Sequence, residues 1–460
     1  MKFLKPLLAA FFFCCACLLR AQKVNENYIP VIVDSLVKDI FKNHSVASVT
    51  VGVKKHGKIL IEKSYGLANV ELGVPATIHS VYKLNSISKM FTAISILQLA
   101  EQGKLSIDDE IDKWLPGYDS IKKHITIRQL LSHSSGLKDY GGEIWKKNYK
   151  SFRLTPQDWI GFEKNEPLSF QPGTSYSYSN VGFDLLAFIV EKASGEKFPS
   201  YLNKHIIQPA GLKETGHYSI QMIVPRLVSV YDANKNKLYR ADEWAEPAYG
   251  SGAIHSSIDD VLKFQDALNK NILLQPASLQ QMRTPLTISG QKFSYGFGTR
   301  VVNFPSHIGH GHTGSGGGST SVLHYFAADD LTIAVLMNSE DDDDPKYPSA
   351  AFIAQTVEER IFNIPKPVLK DLPIPKGEIE KYTGNWGTNP DIRVFQLGGM
   401  LWAQGVGQKD STRLFYQGDH KFVPGDNHSV IVDFQFQNGQ TDSYNVLQNG
   451  NLIGVGRRKE

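Results

Sequence analysis

The sequence predicts an α+β fold, in which an antiparallel sheet is flanked by helices and joined by a helical subdomain, followed by a small all-β domain. Three observations predict it. Two strand-like stretches near the start meet at a His-Gly turn, the middle of the chain has mostly helical periodicity, and about 85 residues at the end alternate between apolar and polar side chains. With 460 residues, 41% of them hydrophobic and 21% charged, the chain is expected to form two or three globular domains.

Residues 1–21 are predicted to be a secretory signal. Lys2 and Lys5 precede an apolar stretch at residues 6–19 that is too short to span a bilayer, and Ala21 is a small residue suited to cleavage. All three cysteines lie in this segment, so the processed protein would have neither a disulfide nor a thiol nucleophile. We therefore expect an exported protein, periplasmic or secreted. A lipid anchor at Cys17 is less favoured, because the branched aliphatic residue usually found three positions earlier is missing.

The charge balance argues against binding to nucleic acid. The chain has 49 basic and 46 acidic side chains, and removal of the three basic residues of the signal leaves 46 of each. A neutral chain has no basic footprint for a phosphate backbone. No transmembrane segment is expected after the signal is removed, and the expected partner is a small molecule or a short peptide.

Periodicity predicts the order of elements in a first unit at residues 24–362. Helices are predicted at residues 31–42, 182–193, 258–268 and 349–362, together with a long apolar helix that begins at Ser86. Strands are predicted at residues 47–54, 58–65, 294–302, 319–326 and 331–337. The first two strands are predicted to form a β-hairpin at His56-Gly57, and the last two to pair across residues 328–330.

A proline-rich linker at residues 363–375 is predicted to precede a C-terminal β domain at residues 376–460. Four prolines lie between residues 363 and 377, and proline stops helices and keeps the chain extended. Beyond them, Gly398-Gly399, Asn438-Gly439 and Asn449-Gly450 are typical of hairpin turns. The aromatic residues available for the core of a barrel are Trp386, Phe395, Trp402, Phe415, Phe434 and Phe436.

The strongest chemical signal is Ser86-Ile87-Ser88-Lys89 at the start of the apolar helix. From residue 87 to residue 100 the only charged side chain is Lys89, in a run that is apolar nearly all round and therefore buried. Burial lowers the pKa of a lysine, and a spacing of three places its amine on the same helix face as the Ser86 hydroxyl. This pattern favours a serine nucleophile with its activator. The alternative is a capping serine beside a lysine that extends to solvent.

Two further motifs follow in order. Tyr178-Ser179-Asn180 begins 92 residues after Ser86, and His312-Thr313-Gly314 begins 134 residues later still. With these three motifs, and with supporting stretches at residues 130–137 and 251–254, the sequence resembles the serine β-lactamase and penicillin-binding-protein superfamily. Within it, the sequence is most similar to the class C β-lactamase and D-aminopeptidase/esterase branch, and the resemblance covers residues 24–362.

The resemblance implies Ser86 as the nucleophile that accepts an acyl group, with Lys89 and Tyr178 sharing the proton transfer. A phenol close to two cations is expected to lose its proton near neutral pH. The resemblance also implies an oxyanion hole made by the backbone amides of Ser86 and Ser315, and no cofactor. The residues implied in substrate binding or oxyanion stabilisation are Asn180, His312, Thr313, Gly314 and Ser315. The C-terminal domain resembles the lipocalin-like barrels that some members carry.

His312 departs from the lactamases proper, which carry a lysine at this position. A histidine is only partly charged near neutral pH, so strong β-lactam hydrolysis is not expected. A histidine at this position is similar to the D-aminopeptidase and some esterase-like members, and this resemblance implies cleavage of an amide or ester, either a D-amino-acid peptide or a small ester, through an acyl-enzyme on Ser86. The alternatives are a penicillin-binding or peptide-sensing protein with little or no turnover, and a true class C-type β-lactamase.

No metal site is expected, although His307, His310 and His312 lie within six residues of one another. No nearby carboxylate completes a hydrolytic zinc site, and the run at residues 341–344 lacks the spaced ligands of a calcium loop. The His-Glu-x-x-His, Gly-x-Ser-x-Gly and P-loop patterns are also missing from the sequence.

Overall fold

The computed structural model describes most of the chain after residue 25. The described residues are 26–117, 122–139, 161, 164, 166–219, 222–241, 248–341, 347–364, 369–387, 392–405, 411–425, 430–437, 439–448 and 451–459. The predicted signal with its three cysteines, Pro365, Pro367 and Asp342 to Asp344 therefore lie outside the described residues.

A seven-stranded sheet forms the centre of the first unit. Its strands are β1 (Ser48–Lys55), β2 (Lys58–Asn69), β3 (Val74–Pro75), β11 (Arg300–Phe304), β12 (His307–Ser315), β13 (Thr320–Phe326) and β14 (Leu331–Met337). Their order in the sheet is β11-β12-β13-β14-β1-β2-β3. Every pairing is antiparallel. All residues of β13 and β14 are buried, because helices cover both faces of the sheet.

The two faces of the sheet carry separate hydrophobic cores. On one face, the helices α1 (Ile29–Asn43) and α8 (Ala350–Ile361) pack against alternate residues of the central strands. On the other face, α2 (Ser88–Glu101) and α6 (Ile258–Asn269) share a core with Leu323, Ala334 and Leu336 of the sheet. Period-two alternation thus divides the central strands between two helical layers.

A helical subdomain packs against α2. Its helices are α3 (Ile127–Leu131), α4 (Asn180–Ser194) and α5 (Phe198–Leu202), and α5 continues into a π-helix at Asn203–Ile207. The N-terminus of α4 is capped by the Ser179 hydroxyl, which accepts a hydrogen bond from Gly182 N, and its C-terminus is capped by Gly195 at φ 76°. These caps fix where α4 begins, and therefore where the Tyr178-Ser179-Asn180 motif lies.

Short elements complete this unit. They are α7 (Pro276–Arg283) and the strands β4 (Tyr82–Lys83), β5 (Gly216–His217), β6 (Tyr231–Asn234), β7 (Lys237–Arg240), β8 (Ile254–Ser256), β9 (Thr287–Ile288), β10 (Gln291–Lys292) and β15 (Ser339–Glu340). These short strands form three small sheets, with strand orders β10-β9, β15-β6-β7 and β4-β8-β5. In the described part of the chain, none of the helices combines the length and the apolar character that crossing a membrane requires.

The C-terminal strands form a closed eight-stranded barrel. Its elements are α9 (Ile379–Tyr382), β16 (Gly384–Gly387), β17 (Ile392–Leu397), β18 (Met400–Gly405), β19 (Thr412–Gly418), β20 (Lys421–Pro424), β21 (Val430–Gln437), β22 (Gln440–Gln448) and β23 (Asn451–Arg458). Its core is rich in aromatic rings: Tyr382, Trp386, Tyr416, Phe422, Phe434 and Tyr444. Closure leaves the barrel without a free sheet edge.

The predicted α+β class, the antiparallel sheet between helices and the all-β C-terminal domain are confirmed. Three details differ. Ser86 lies in a 3₁₀ turn, Asn85–Ile87, and the α-helix begins two residues later. Residues 294–299 are not a strand, because Gly298 adopts φ 65° and its amide hydrogen-bonds to Leu131 O.

The third difference concerns the core of the barrel. Phe395, Trp402 and Phe415 were expected in the core but are only partly buried, since their neighbours Val394, Leu401 and Leu414 fill the interior instead. Successive residues of a strand point to opposite sides of the barrel wall, so a register offset of one residue exchanges the two sets. Trp386 and Phe434 lie in the core as predicted, and Phe436 packs against it.

A buried contact between His324 of β13 and Glu358 of α8, on the face of the sheet opposite α2, allows a stability test that is separate from the candidate site. His324 Nδ1 lies 2.7 Å from Glu358 Oε1, and both side chains are at most 9% exposed. Glu358→Ala leaves the buried imidazole without its hydrogen-bond partner, so we expect a loss of about 1–3 kcal/mol in the free energy of unfolding.

Denaturant unfolding of Glu358→Ala, with Arg360→Ala on the exposed side of the same helix as control, measures this loss. The control is expected to change stability by less than about 0.5 kcal/mol. Equal stability of the two variants would contradict the prediction.

Candidate active site

Ser86 and Lys89 meet at the start of α2. Ser86 is partly exposed in the 3₁₀ turn, whereas Lys89, one helical turn further on, has no exposed surface. The Lys89 ammonium donates a hydrogen bond to Ser86 Oγ at 3.0 Å. A hydroxyl that substrate can reach is therefore paired with a cation that water cannot reach, as the sequence predicts.

Lys89 also binds two acceptors from other segments. Its Nζ donates to Asn180 Oδ1 at 2.6 Å and to Ser251 O at 2.8 Å. It also lies 4.8 Å from the ring centroid of Tyr178. Together with Ser86 Oγ, the two oxygens give three acceptors for the three protons that an ammonium can donate. The snorkelling alternative for Lys89 is excluded by its burial.

Each of the two acceptors from other segments is held by a carboxylate, the partly buried Asp139 or the buried Asp184. Asp139 accepts hydrogen bonds from Asn180 N at 2.9 Å and Asn180 Nδ2 at 2.8 Å, which turns the amide oxygen towards Lys89. Burial raises the pKa of Asp139. Asp184 Oδ1 accepts from the backbone amides of residues 249, 250 and 251, and so orients Ser251 O. Burial raises the pKa of Asp184 to about 6.

Tyr178 differs from expectation in its protonation. Burial raises the pKa of Tyr178 above its ordinary value, and the opposing effects of Arg300 and of a hydrogen bond with Ser86 are smaller. The phenol is therefore neutral in the resting site, and the expectation that it ionises near neutral pH is wrong. Its ring lies 4.2 Å from that of His133, whose Nδ1 accepts a hydrogen bond from Ser179 N.

His312 is buried and held in one tautomer. Its Nδ1 lies 2.5 Å from Thr313 O, which can only accept, so Nδ1 carries the proton. Its Nε2 then accepts a hydrogen bond from the Tyr295 hydroxyl at 2.9 Å. Burial, together with the charges of Arg300 and Lys89, holds the pKa of His312 well below its usual value. His312 is thus a neutral group and supplies no cation to the site.

Arg300 is the cation that the sequence analysis missed. It lies on β11 opposite Gly311 of β12, with its guanidinium carbon 5.5 Å from the ring centroid of Tyr178 and 5.7 Å from that of Tyr295. Its buried Nε has no hydrogen-bond acceptor, and it forms no ion pair with a carboxylate among the described ranges. The pairing of β11 with β12, which carries His312, is the signal that could have pointed to Arg300.

The end of β12 lies directly against the turn that carries Ser86. A Cβ at Gly314 would come within 2.2 Å of Leu84 O, so only glycine permits this approach. Thr313 is partly buried beside it, and Ser315 is exposed at the end of the strand. The structure thus brings the three predicted motifs together.

The other two histidines of β12 have separate environments. His307 Nδ1 lies 2.8 Å from Asp329 Oδ2, and its ring stacks on Phe362. Burial lowers the pKa of His310 to about 4. Within the described ranges, no three histidine, cysteine, aspartate or glutamate side chains converge as metal ligands.

The barrel contacts the chain beside this site. Leu452 O of β23 accepts hydrogen bonds from Ser294 N at 3.1 Å and Ser294 Oγ at 2.9 Å. The preceding residue, Phe293, stacks on Tyr176 with ring centroids 5.3 Å apart. A strand of the barrel is therefore hydrogen-bonded to the segment that contains Phe293 and Tyr295.

Comparison with known proteins agrees with this geometry. Residues 33–358 match the family model described as Beta-lactamase. A penicillin-binding protein of Bacillus subtilis (strain 168) is 33% identical over 339 residues, which cover 69% of this chain and 72% of that protein. An esterase of Burkholderia gladioli is 26% identical over 317 residues, which cover 60% of this chain and 81% of the esterase.

Solved structures extend the comparison of the fold. The octameric penicillin-binding protein homologue from Pyrococcus abyssi has a TM-score of 0.64 at 22% identity, covering 92% of this chain and 99% of its own. A D-amino acid amidase from Ochrobactrum anthropi has a TM-score of 0.61 at 22% identity, covering 73% of this chain and 96% of its own. These likenesses show the fold.

Asp184 gives a pH-dependent prediction. Its pKa is about 6 in the folded chain and 3.8 as a free side chain, so the folded state binds the proton more tightly. The stability that this proton adds is complete below about pH 4 and is lost as pH rises through 6. The shift corresponds to about 3 kcal/mol.

Asp184→Asn cannot ionise and keeps an oxygen for the three amides. We expect the stability of the wild type relative to this variant to fall between pH 4 and pH 7, as measured by thermal unfolding at a series of pH values. A difference that is constant across this range would refute the assignment.

Proposed function

The chain belongs to the β-lactamase family, and we propose that it is an exported serine hydrolase that cleaves an amide or ester through an acyl-enzyme on Ser86. The observation that carries the proposal is the fully buried Lys89, whose ammonium lies 3.0 Å from the accessible Ser86 hydroxyl. A buried cation beside a hydroxyl stabilises the alkoxide that develops as the hydroxyl attacks a carbonyl.

The neutral Tyr178 suits a proton relay. As Ser86 Oγ bonds to the substrate carbonyl carbon, its proton passes to the Tyr178 oxygen while the phenolic proton passes to the leaving nitrogen or oxygen. The backbone amides of Ser86 and Ser315 hold the oxyanion until the bond to the leaving group breaks. Water then attacks the ester, gives one proton to Tyr178, and the Tyr178 proton returns to Ser86. The phenol stays neutral between steps, in keeping with its raised pKa.

The charges around the site favour a substrate with a carboxylate. His312 is neutral, whereas Arg300 is a cation close to Tyr178 without a carboxylate partner among the described residues. Guanidinium groups bind carboxylates through paired hydrogen bonds. A short peptide with a D-amino acid at its C-terminus meets this requirement. Thr313 and Gly314 would line the same strand edge.

The proposed enzyme is exported and has two folded units joined by a linker. Residues 1–21 would be removed on export. The remaining chain would consist of a hydrolase unit at residues 24–362, a linker at residues 363–375 and the barrel domain at residues 376–460. The sequence of basic residues, apolar stretch and small residue at the N-terminus supports the signal. The four prolines support the linker.

A second candidate is a penicillin-binding or peptide-sensing protein that is acylated but turns over slowly. The similarity to a penicillin-binding protein of Bacillus subtilis favours it. The two functions share the acylation step and differ in hydrolysis of the acyl-enzyme, so kinetics can separate them.

The nucleophile can be tested by intact-mass spectrometry. After exposure to a fluorophosphonate, we expect one adduct on the wild type, mapped to the peptide that contains Ser86, and none on Ser86→Ala. Parallel exposure to a labelled penicillin separates the candidates, since a stable penicillin adduct supports the slow-turnover protein. A folded wild type that neither reagent labels would refute the hydrolase.

Arg300 predicts a preference between two matched substrates. For a D-amino-acid peptide with a free C-terminal carboxylate, Arg300→Gln is expected to raise KM at least about tenfold, since a charge-assisted pair worth roughly 1.5–3 kcal/mol is lost. For the same peptide with a C-terminal amide, KM is expected to change less than twofold. Equal effects on both substrates would show that Arg300 does not bind the carboxylate.

A further inference from the structure

The two amides of the proposed oxyanion hole lie on separate parts of the chain. Ser86 N belongs to the turn before α2, and Ser315 N to the last residue of β12, 229 residues later. An oxyanion hole works only when both donors lie within hydrogen-bond distance of one oxygen. Their separation therefore depends on the contacts that join the turn to the residues after β12.

Asn85 joins these two segments directly. Its side chain is 3% exposed, and its Nδ2 donates to Gly316 O at 3.1 Å, Ser319 O at 3.0 Å and Ser319 Oγ at 3.1 Å. One side-chain amide, on the residue before the nucleophile, thus binds the loop that follows Ser315. A displacement of either segment would break these bonds.

The backbone of Asn85 is also unusual. Its φ is 47°, in the left-handed region that residues other than glycine seldom adopt. Asparagine tolerates this region better than most residues, and it also has an amide N–H to donate. Glycine would satisfy the backbone but not the loop, and aspartate would satisfy the backbone but offer an acceptor to three acceptors. The position calls for both properties.

The loop is held from its other side by Glu340. This buried carboxylate accepts hydrogen bonds from Ser315 Oγ at 2.8 Å, Gly316 N at 3.2 Å and Gly318 N at 2.7 Å. The loop therefore has a fixed shape, so the contact with Asn85 positions it as one body relative to Ser86.

We propose that Asn85 is a positioning residue that sets the separation between the two oxyanion amides, by bonding the turn of Ser86 to the loop after Ser315. This inference rests on the proposed function, because it assigns a purpose to the same hole. Asn85 itself does not touch the substrate. Its effect appears where the oxyanion is formed, in the transition state of acylation, and not in ground-state binding.

Asn85→Gly tests the proposal, since it keeps the backbone conformation and removes the side-chain amide. We expect kcat for a small ester to fall about 10- to 100-fold with KM changed less than about twofold, because the loss of a whole oxyanion donor costs about 10²–10³ in kcat. Affinity for an arylboronic acid, which forms a tetrahedral anion on the serine, is expected to fall by a similar factor. Asn85→Asp, a second variant of nearly the same shape, is expected to show at least the same loss.

Gln98→Ala provides a matched control. Gln98 lies on α2 as well, and its side-chain amide bridges two backbone carbonyls, His205 O and Leu273 O, remote in sequence from Ser86 and Ser315. Its loss is expected to lower the unfolding temperature without changing kcat or boronate affinity. An Asn85→Gly variant with wild-type kcat and boronate affinity would overturn the proposal, as would a kcat loss of the same size in Gln98→Ala. Failure of the fluorophosphonate to label the wild type would instead refute the proposed function itself.

Discussion

The ammonium of Lys89 is the charge on which the rest of the site depends. A cation without exposed surface is stable only when protein acceptors replace water around it. Besides the nucleophile on its own helix, its acceptors come from Asn180 at the start of α4 and from Ser251 before β8. Asp139 and Asp184 hold those acceptors in turn. The helical subdomain and the sheet unit are thereby joined at one buried charge, and the nucleophile lies beside it.

The same charge explains the state of its neighbours. Two cations, Lys89 and Arg300, already lie close to the ring of Tyr178, so a third positive charge at His312 would be repelled as well as desolvated. The ring of His312 is instead bound at both nitrogens, by Tyr295 and by Thr313 O. In the lactamase-like pattern the cation of this region lies on the strand of His312. In this chain Arg300 lies on the neighbouring strand β11, opposite Gly311, with its guanidinium close to the ring of Tyr178.

The sequence predicted the buried lysine because a single charge in an otherwise apolar helix has a pattern that is easy to read. It predicted the convergence of the three motifs only through the resemblance, since no periodicity shows that residues 86, 178 and 312 meet. Arg300 was missed because its position close to Tyr178 depends on strand register, which the hydrophobic pattern sets only to within a face. The expectation that Tyr178 ionises near neutral pH was wrong for a related reason. Nearby cations can be guessed from motifs, but the burial that outweighs them depends on the packing of distant segments.

The barrel shows how far such packing reaches. Leu452 O accepts two hydrogen bonds from Ser294, and the residues on either side, Phe293 and Tyr295, contact the rings of Tyr176 and Tyr178. The pairing of β22 with β23 shifts register between Val446 and Leu447, and the extra residue, Ile453, lies on β23, the strand that presents this carbonyl. Bulges bend a strand locally and redirect what it presents. The barrel atom that binds Ser294 is a backbone oxygen, Leu452 O. The side chain at residue 452 can therefore change without loss of this contact, whereas a change in the register of β23 would remove it. The fold of the C-terminal strands is thus part of what keeps Tyr295 against His312.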